Sequence, residues 1–215
     1  MIELDARLTA DGQLVVFHDR RLRRITGERG RVRDHTLSGL CQRDAGRWFS
    51  PRCSGERIPS LAEALASIPP PTLINIEIKT DPDRPRLIHP ERVLATLLSR
   101  HPAVPRVLVT SFDHRFLRRL HLLLPHVPVG ALVMPVRDLG RSPSSFRRRC
   151  GASFLVCSIR ALRARMVRAA HRDGMSIACY TVNTRRQWHR AIRFGADIVI
   201  TNHPAMMLRL RDSRR

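Results

Sequence analysis

The chain has 215 residues, of which 39 are Lys or Arg and 18 are Asp or Glu, so its formal net charge is +21. This length suits one domain, and it allows a core that buries roughly 70% of the surface of the unfolded chain. With 43% apolar and 5% aromatic residues, the composition is globular, which excludes an intrinsically disordered chain. The sequence has no run of about 18 apolar residues, which excludes a membrane-spanning helix.

The start of the chain and its cysteines indicate the compartment. Residues 1–7 have neither the basic segment nor the apolar stretch of a signal peptide, so we expect a cytoplasmic protein. The five cysteines form no C-x-x-C pair, and their odd number suits neither a disulfide framework nor a zinc site. We therefore expect thiols that behave as small buried apolar side chains.

The positive charge comes almost entirely from arginine, since Lys79 is the only lysine. The arginines are spread along the chain and are not interleaved with aromatic residues, as they often are in proteins that bind nucleic acid. This distribution favours a solvated, arginine-coated surface over a nucleic-acid partner. The same charge would still steer anionic substrates towards the protein.

Apolar, β-branched runs recur along the chain and predict strands. Residues 9–12 predict a turn with Asp-Gly chemistry, which makes residues 11–35 a β-hairpin and a loop, with a strand at 14–17. The other predicted strands are residues 1–7, 73–78, 107–110, 127–133, 154–157, 176–182 and 198–201.

Helical periodicity between these strands predicts helices at 61–68, 115–124, 161–172 and 187–194. Two capping boxes, Ser60-Leu-Ala-Glu63 and Thr184-Arg-Arg-Gln187, mark helix starts. This alternation of strands and helices predicts an α/β fold with parallel strands. A doubly wound sheet and a (β/α)8 barrel both fit, and the even spacing of the strands favours the barrel.

Acidic residues lie on two of the predicted strands. Glu3 and Asp5 are two residues apart, so their side chains share one face of the first strand, and Glu77 and Lys79 do the same on a second strand. Carboxylates grouped in this way repel one another unless a cation lies between them, and oxygen ligands suit Mg²⁺ or Ca²⁺ better than zinc. The alternative is that each carboxylate pairs with an arginine. The occurrence of the pattern on two strands favours the metal site.

His18 follows the predicted strand at 14–17 and precedes Asp19. A single histidine is more often structural than functional. Its place at a strand end, beside an acid and close in sequence to Glu3 and Asp5, makes it a candidate general acid or base.

These segments together resemble the glycerophosphodiester phosphodiesterase family over nearly the whole chain. The combination of E-L-D, D-G-x-x-V-V-x-H-D and N-I-E-I-K at these spacings is the most specific part. The matching segments are Ile2-Glu-Leu-Asp5, Leu8-Thr-Ala-Asp-Gly12, Val15-Val-Phe-His-Asp19, Arg23-Arg-Ile-Thr-Gly27, Arg57-Ile-Pro-Ser-Leu-Ala-Glu63, Asn75-Ile-Glu-Ile-Lys79, Ser111-Phe-Asp113, Tyr180-Thr-Val-Asn183 and Gly195-Ala-Asp-Ile-Val-Ile-Thr201.

The resemblance implies a (β/α)8 TIM barrel that hydrolyses glycerophosphodiesters to an alcohol and glycerol 3-phosphate with a divalent cation, Mg²⁺ or Ca²⁺. Such an enzyme acts in glycerol and lipid metabolism on a small-molecule phosphodiester. The family's roles map onto six positions here. They are the metal ligands Glu3, Asp5 and Glu77, the acid/base residue His18, and the substrate-facing residues Lys79 and Tyr180, where the family usually has Trp at the last position.

The resemblance also implies that one part of the family's barrel lies outside this sequence. The family's first strand ends in His-Arg-Gly, a motif that does not occur here, so we expect the first strand and helix to be missing. A misassigned start, a decayed gene and a non-catalytic relative all fit. The resemblance further implies one domain over 1–215, with a small insertion at about 9–56, and impaired catalysis by this chain. The alternatives are a phosphate- and metal-binding relative without turnover and a basic nucleic-acid-associated protein.

Overall fold

A computed structural model describes residues 1–81, 88–134, 136–138 and 140–213. The chain divides into two compact units, Met1–Val127 and Pro128–Arg215. Both units combine a sheet with helices, as the alternating pattern predicts.

The sheet of the first unit has four strands in the order β2-β1-β3-β4. β1 pairs with β3 and β3 pairs with β4 in parallel, whereas β2 runs antiparallel to β1. The predicted strands are confirmed to within one or two residues. Their bounds are β1 Ile2–Leu8, β2 Leu14–Val16, β3 Ile74–Ile78 and β4 Val107–Ser111.

Strand β3 separates the core of this unit from its polar face. Ile74, Ile76 and Ile78 alternate with Asn75 and Glu77, so the three isoleucines share the opposite face of the sheet. Each isoleucine is at most 2% exposed, and burying such a side chain contributes about 1.5–3 kcal/mol to folding. The polar side chains of β3, Asn75 and Glu77, therefore project from a strand whose other face is buried in the core.

The longer helices of the first unit follow their strands. They are α3 Leu61–Ser67, α4 Pro90–Ser99 and α5 His114–Leu123. Ser60 caps α3 in the predicted capping box, and Asp113 caps α5 by accepting hydrogen bonds from Arg115 N and Phe116 N.

The chain from β2 to α3 has more structure than the predicted hairpin and loop. The Thr9–Gly12 turn forms as expected, with Thr9 N donating to Gln13 O at 2.9 Å and Gly12 at φ 77°. Beyond the hairpin the segment contains two short helices, α1 Arg23–Thr26 and α2 Leu37–Cys41. It folds because it has a small core of its own. That core consists of Val15, Phe17, Leu22, Val32, Leu40 and Ile58.

The second unit has four parallel strands in the order β5-β6-β7-β8. Their bounds are β5 Val129–Leu132, β6 Phe154–Ser158, β7 Ser176–Tyr180 and β8 Ile198–Val199. The helices of this unit are α6 Pro143–Cys150, α7 Ala164–Arg172, α8 Arg185–Phe194 and α9 Pro204–Asp212. Thr184 forms the predicted capping box at α8, which ends at Gly195 in the left-handed conformation.

All five cysteines are free thiols. Cys157 and Cys179 stand opposite each other on β6 and β7, where burial raises the pKa of the Cys157 thiol to about 11 and that of Cys179 to about 12. The expectation of buried thiols holds for Cys150, Cys157 and Cys179, whereas Cys41 and Cys53 are only partly buried. No helix within the described ranges has both the length and the apolar character needed to cross a membrane.

Candidate active site

The predicted acidic residues of β1 and β3 meet on one face of the first unit's sheet. Asp5 stands opposite Glu77 in the parallel register, and Glu3 stands opposite Asn75. One carboxylate oxygen each from Glu3, Asp5 and Glu77 lies within 4.8 Å of the other two. The structure therefore brings the three predicted ligands together.

Burial and neighbouring negative charge raise the pKa of two of these carboxylates, Glu3 and Glu77. Burial first, and then the charges of Asp5 and Glu77, raise the pKa of Glu3 to about 7. Burial also raises the pKa of Glu77 above its ordinary value, against the opposing effect of Lys79. A cluster of oxygen donors with this excess of negative charge fits a hard divalent cation such as Mg²⁺ or Ca²⁺.

Lys79 directly follows β3 and faces the same carboxylates. Its Nζ lies 3.1 Å from Asp5 Oδ1, and it donates a hydrogen bond to Glu77 Oε1. Burial lowers the pKa of Lys79, but the hydrogen bond and charge of Glu77, with the charge of Asp5, outweigh it and raise the pKa overall. Lys79 is therefore held protonated among the carboxylates.

His18 lies two residues after the end of β2, the strand that pairs with β1. Phe17 N donates to Asp5 O at 2.9 Å, which fixes the backbone before His18 beside β1. The carboxylates of Glu3, Asp5 and Glu77 are here called the acidic patch. The His18 side chain is 61% exposed, and its Nδ1 lies 2.7 Å from Asp19 Oδ1. The ring is therefore exposed, with Nδ1 engaged by Asp19.

Asp19 is held in place by Arg24. Arg24 Nε donates to Asp19 Oδ2 at 2.6 Å, and Arg24 Nη2 donates to Asp19 Oδ1 at 3.0 Å. The Arg24 hydrogen bond is the main cause that lowers the pKa of Asp19 to about 2, and the His18 hydrogen bond adds to it. An ionised Asp19 orients the His18 ring as the carboxylate of a catalytic triad orients its histidine.

Sequence reasoning missed Arg7 and Asn75. Arg7 shares the face of Glu3 and Asp5, and its Nε donates to the carbonyl oxygen of His18 at 2.9 Å. Burial lowers the pKa of Arg7, although the charges of Asp81 and Asp5 oppose that shift. The period-two spacing of residues 3, 5 and 7 was the signal that could have found Arg7.

Asn75 lies beneath Glu77 on the same face of β3 and is 6% exposed. Its Nδ2 donates to Thr110 Oγ1 at 3.2 Å, which ties β3 to β4 below the carboxylates. The N-I-E-I-K segment contains this residue, but period-two spacing alone gives it no chemical role.

Tyr180 ends β7 in the second unit and is half-buried. The five other predicted site residues, Glu3, Asp5, His18, Glu77 and Lys79, all belong to the first unit. The substrate-facing role of Tyr180 stays a prediction.

Comparisons with known proteins agree on one family. The family model described as "Glycerophosphoryl diester phosphodiesterase family" matches residues 1–206. A glycerophosphodiester phosphodiesterase of Bacillus altitudinis is 31% identical over 218 residues, which cover 100% of this chain and 87% of that protein. One of Caldanaerobacter subterraneus subsp. tengcongensis is 32% identical over 213 residues, which cover 97% and 84%.

Solved structures show the same fold. An Oleispira antarctica phosphodiesterase in complex with the product sn-glycerol-3-phosphate superposes with a TM-score of 0.86 at 24% identity, over 98% of this chain and 84% of that one. A glycerophosphodiester phosphodiesterase from Agrobacterium tumefaciens gives a TM-score of 0.74 at 27% identity, over 94% and 82%. This similarity confirms the predicted α/β fold of the TIM-barrel type.

Proposed function

The chain belongs to the glycerophosphoryl diester phosphodiesterase family of phosphoric diester hydrolases, and we propose that it hydrolyses glycerophosphodiesters to an alcohol and glycerol 3-phosphate. The observation that carries this proposal is the convergence of Glu3, Asp5 and Glu77 within 4.8 Å. Lys79 contacts two of these carboxylates, and His18 follows the hairpin strand beside them.

In this proposal, the three carboxylates hold a divalent cation, Mg²⁺ or Ca²⁺. Such a cation neutralises charge on the non-bridging oxygens of a phosphodiester. The site supports this role because its ligands are all oxygens and one ammonium does not balance three carboxylates.

The protein's own groups supply orientation and proton transfer. Lys79, held by Asp5 and Glu77, presents its ammonium to a phosphate oxygen and stabilises the negative charge on the oxygens around phosphorus in the transition state. Hydrolysis forms a bond from water oxygen to phosphorus and breaks the bond to the alcohol, so one proton leaves the water and one joins the alkoxide. His18 performs one of these transfers at Nε2, because Asp19 occupies Nδ1.

The finer assignments are part of the same proposal. Tyr180 faces the glycerol half of the substrate, and residues 1–215 form one barrel domain with its insertion at about 9–56. The enzyme works in the cytoplasm, in glycerol and lipid metabolism. Support for the role of Tyr180, the single domain and the place in metabolism comes from the sequence resemblance described above.

The test is release of glycerol 3-phosphate from glycerophosphodiesters with Mg²⁺ or Ca²⁺, with and without a chelator. We expect release to depend on the cation and to fall at least about 100-fold in Glu77→Gln. The reason is that losing one electrostatic contact to the transition state lowers kcat by about 10²–10³. Glu56→Gln is the matched control, because Glu56 is an exposed glutamate of the same unit. Because we expect impaired catalysis by this chain, a version extended upstream to the next in-frame start is assayed beside it. If both versions fold and bind the cation but neither hydrolyses a glycerophosphodiester, the proposed function is wrong.

A further inference from the structure

An exposed pocket lies in the segment that follows His18. It has a volume of 370 Å³. Its lining includes Arg23, Arg24, Thr26, Asp44, Arg47 and Trp48. The whole pocket belongs to the first unit, which also contains the acidic patch and His18.

One chain of contacts joins this pocket, here called the Arg–Trp pocket, to His18. His18 contacts Asp19 at 2.7 Å, and Asp19 accepts both hydrogen bonds from Arg24. The Arg24 guanidinium in turn lies 4.9 Å from the centre of the Trp48 ring. The pocket therefore lies one side chain, Asp19, away from the candidate acid/base residue.

The pocket is positively charged. Three arginines line it against one aspartate, and that aspartate is already engaged. Asp44 accepts hydrogen bonds from Gly46 N and Arg47 N at 2.9 Å, and from Ser54 Oγ and Gly55 N at 3.0 Å. These backbone hydrogen bonds hold the pKa of Asp44 well below its usual range. Asp44 is thus held by its loop and by Arg47, whose Nε lies 3.7 Å from Asp44 Oδ2. Since Arg24 pairs with Asp19, the lining keeps a smaller excess of positive charge, to which Arg23 contributes most directly.

The pocket also offers an aromatic surface. Trp48 is 50% exposed and Phe49 is 75% exposed, and their rings meet edge to face with centroids 6.0 Å apart. Aromatic faces can recognise either a quaternary ammonium or the apolar side of a polyol ring. Here Arg24 already stacks on Trp48, so a cation is disfavoured at that face.

We propose that the Arg–Trp pocket receives the alcohol part of the glycerophosphodiester and selects uncharged or anionic polyols, such as glycerol and inositol, over cationic choline and ethanolamine. This inference rests on the proposed function, and it names the substrate class of the same site. Arg23 and Arg47 supply the repulsion, and Trp48 supplies the contact with the polyol.

The experiment compares binding of glycerophosphoinositol and glycerophosphocholine by calorimetry, with turnover of both measured in parallel. The two esters share the glycerophosphate half, so the difference in affinity reports on the alcohol. We expect the natural chain to bind the inositol ester about tenfold more tightly or better, the size of effect that one or two nearby partly solvated charges produce. The double variant Arg23→Gln/Arg47→Gln should lose most of that preference, whereas Arg100→Gln, an exposed arginine outside the pocket, should keep it.

Several outcomes would overturn the inference. Equal affinity for the two esters, tighter binding of the choline ester, no binding of either ester, or a preference that survives in the double variant would each do so. The proposed function fails separately, if neither this chain nor its upstream-extended version hydrolyses an ester while the preference in binding persists. Hydrolysis of both esters without any preference would retain the proposed function and remove the specificity.

Discussion

The ammonium of Lys79 lies 3.1 Å from the carboxylate oxygen Oδ1 of Asp5, across two neighbouring parallel strands. Both side chains are largely buried, so the pair is poorly screened by water. The ammonium of Lys79 therefore balances part of the negative charge of the acidic patch, as a bound metal cation would.

Replacing Lys79 should make the protein depend on a divalent cation for stability. In Lys79→Met, the carboxylates lose their ammonium, and we expect a loss of about 3 kcal/mol in the free energy of unfolding without cation. Added Mg²⁺ or Ca²⁺ should restore more stability to this variant than it adds to the natural chain. Thermal unfolding with and without cation measures this, with Lys79→Arg as the control that keeps the charge. An equal cation-induced shift in all three proteins would contradict the prediction.

Removing one carboxylate should remove the metal site. We expect Glu77→Ala to abolish measurable binding of Mg²⁺ or Ca²⁺, and Asp5→Asn to weaken it on the order of tenfold or more, because the ligand set and its charge set the affinity. Calorimetric titration checks both variants, with Glu56→Gln as the control. Unaltered affinity in Glu77→Ala would show that these residues are not the ligands.

The sequence predicted the parts of the fold that local chemistry determines. Both predicted capping boxes are present, one between Ser60 and Glu63 and the other between Thr184 and Gln187. The helix predicted from residue 161 begins at Ala164 instead. The cause is a turn at Ser158, whose carbonyl oxygen accepts from Ala161 N and Leu162 N.

The candidate site was predictable as far as period-two spacing reaches. That spacing placed Glu3 with Asp5, and Glu77 with Lys79, but the contact between the two pairs depends on the register of β1 and β3. The pairing of Arg24 with Asp19 could not be predicted from the sequence, because nothing in the sequence distinguishes Arg24 from the other arginines among the 38. Tertiary packing of the small core after β2 decides that choice.

The pair of Asp19 and Arg24 should make stability depend on pH in acid. The folded pKa of Asp19, about 2, lies below the ordinary value of 3.8, so its contribution is complete above about pH 4 and is lost as the pH falls towards 2. Because Arg24 is half-exposed, we expect Asp19→Asn to cost about 1 kcal/mol at pH 7, and less below pH 4. Urea unfolding at several pH values measures this. Asp212→Asn, which removes a surface pair with Arg211, should change little, and a pH-independent loss in Asp19→Asn would refute the argument.

Gly130 on β5 has no room for a side chain. It pairs in register with Phe154 on β6, and a Cβ at position 130 would overlap the phenyl ring. We expect Gly130→Ala to destabilise the protein by about 1–3 kcal/mol, as overpacking does. In a Phe154→Leu background the same change should cost less, and a double-mutant cycle by urea unfolding measures the coupling. Gly39→Ala in α2, where the nearest atom is 3.4 Å away, serves as the unstrained control, and additivity in the cycle would disprove the overlap.

His18 should affect turnover without affecting the metal. Its side chain is exposed and bonds to Asp19 rather than to the carboxylate cluster, so His18→Asn should keep the affinity for Mg²⁺ or Ca²⁺ within about twofold. The loss of one proton transfer should lower kcat by about 10²–10⁴, with a smaller change in KM. Arg7→Gln, which removes the hydrogen bond to the His18 carbonyl and the ion pair with Asp81, should lower kcat less, since Arg7 contacts His18 only through its backbone. Steady-state kinetics beside calorimetry separates these effects. A kcat unchanged in His18→Asn would assign the proton transfer to another group, whereas a parallel loss of metal affinity would place the imidazole in the metal site.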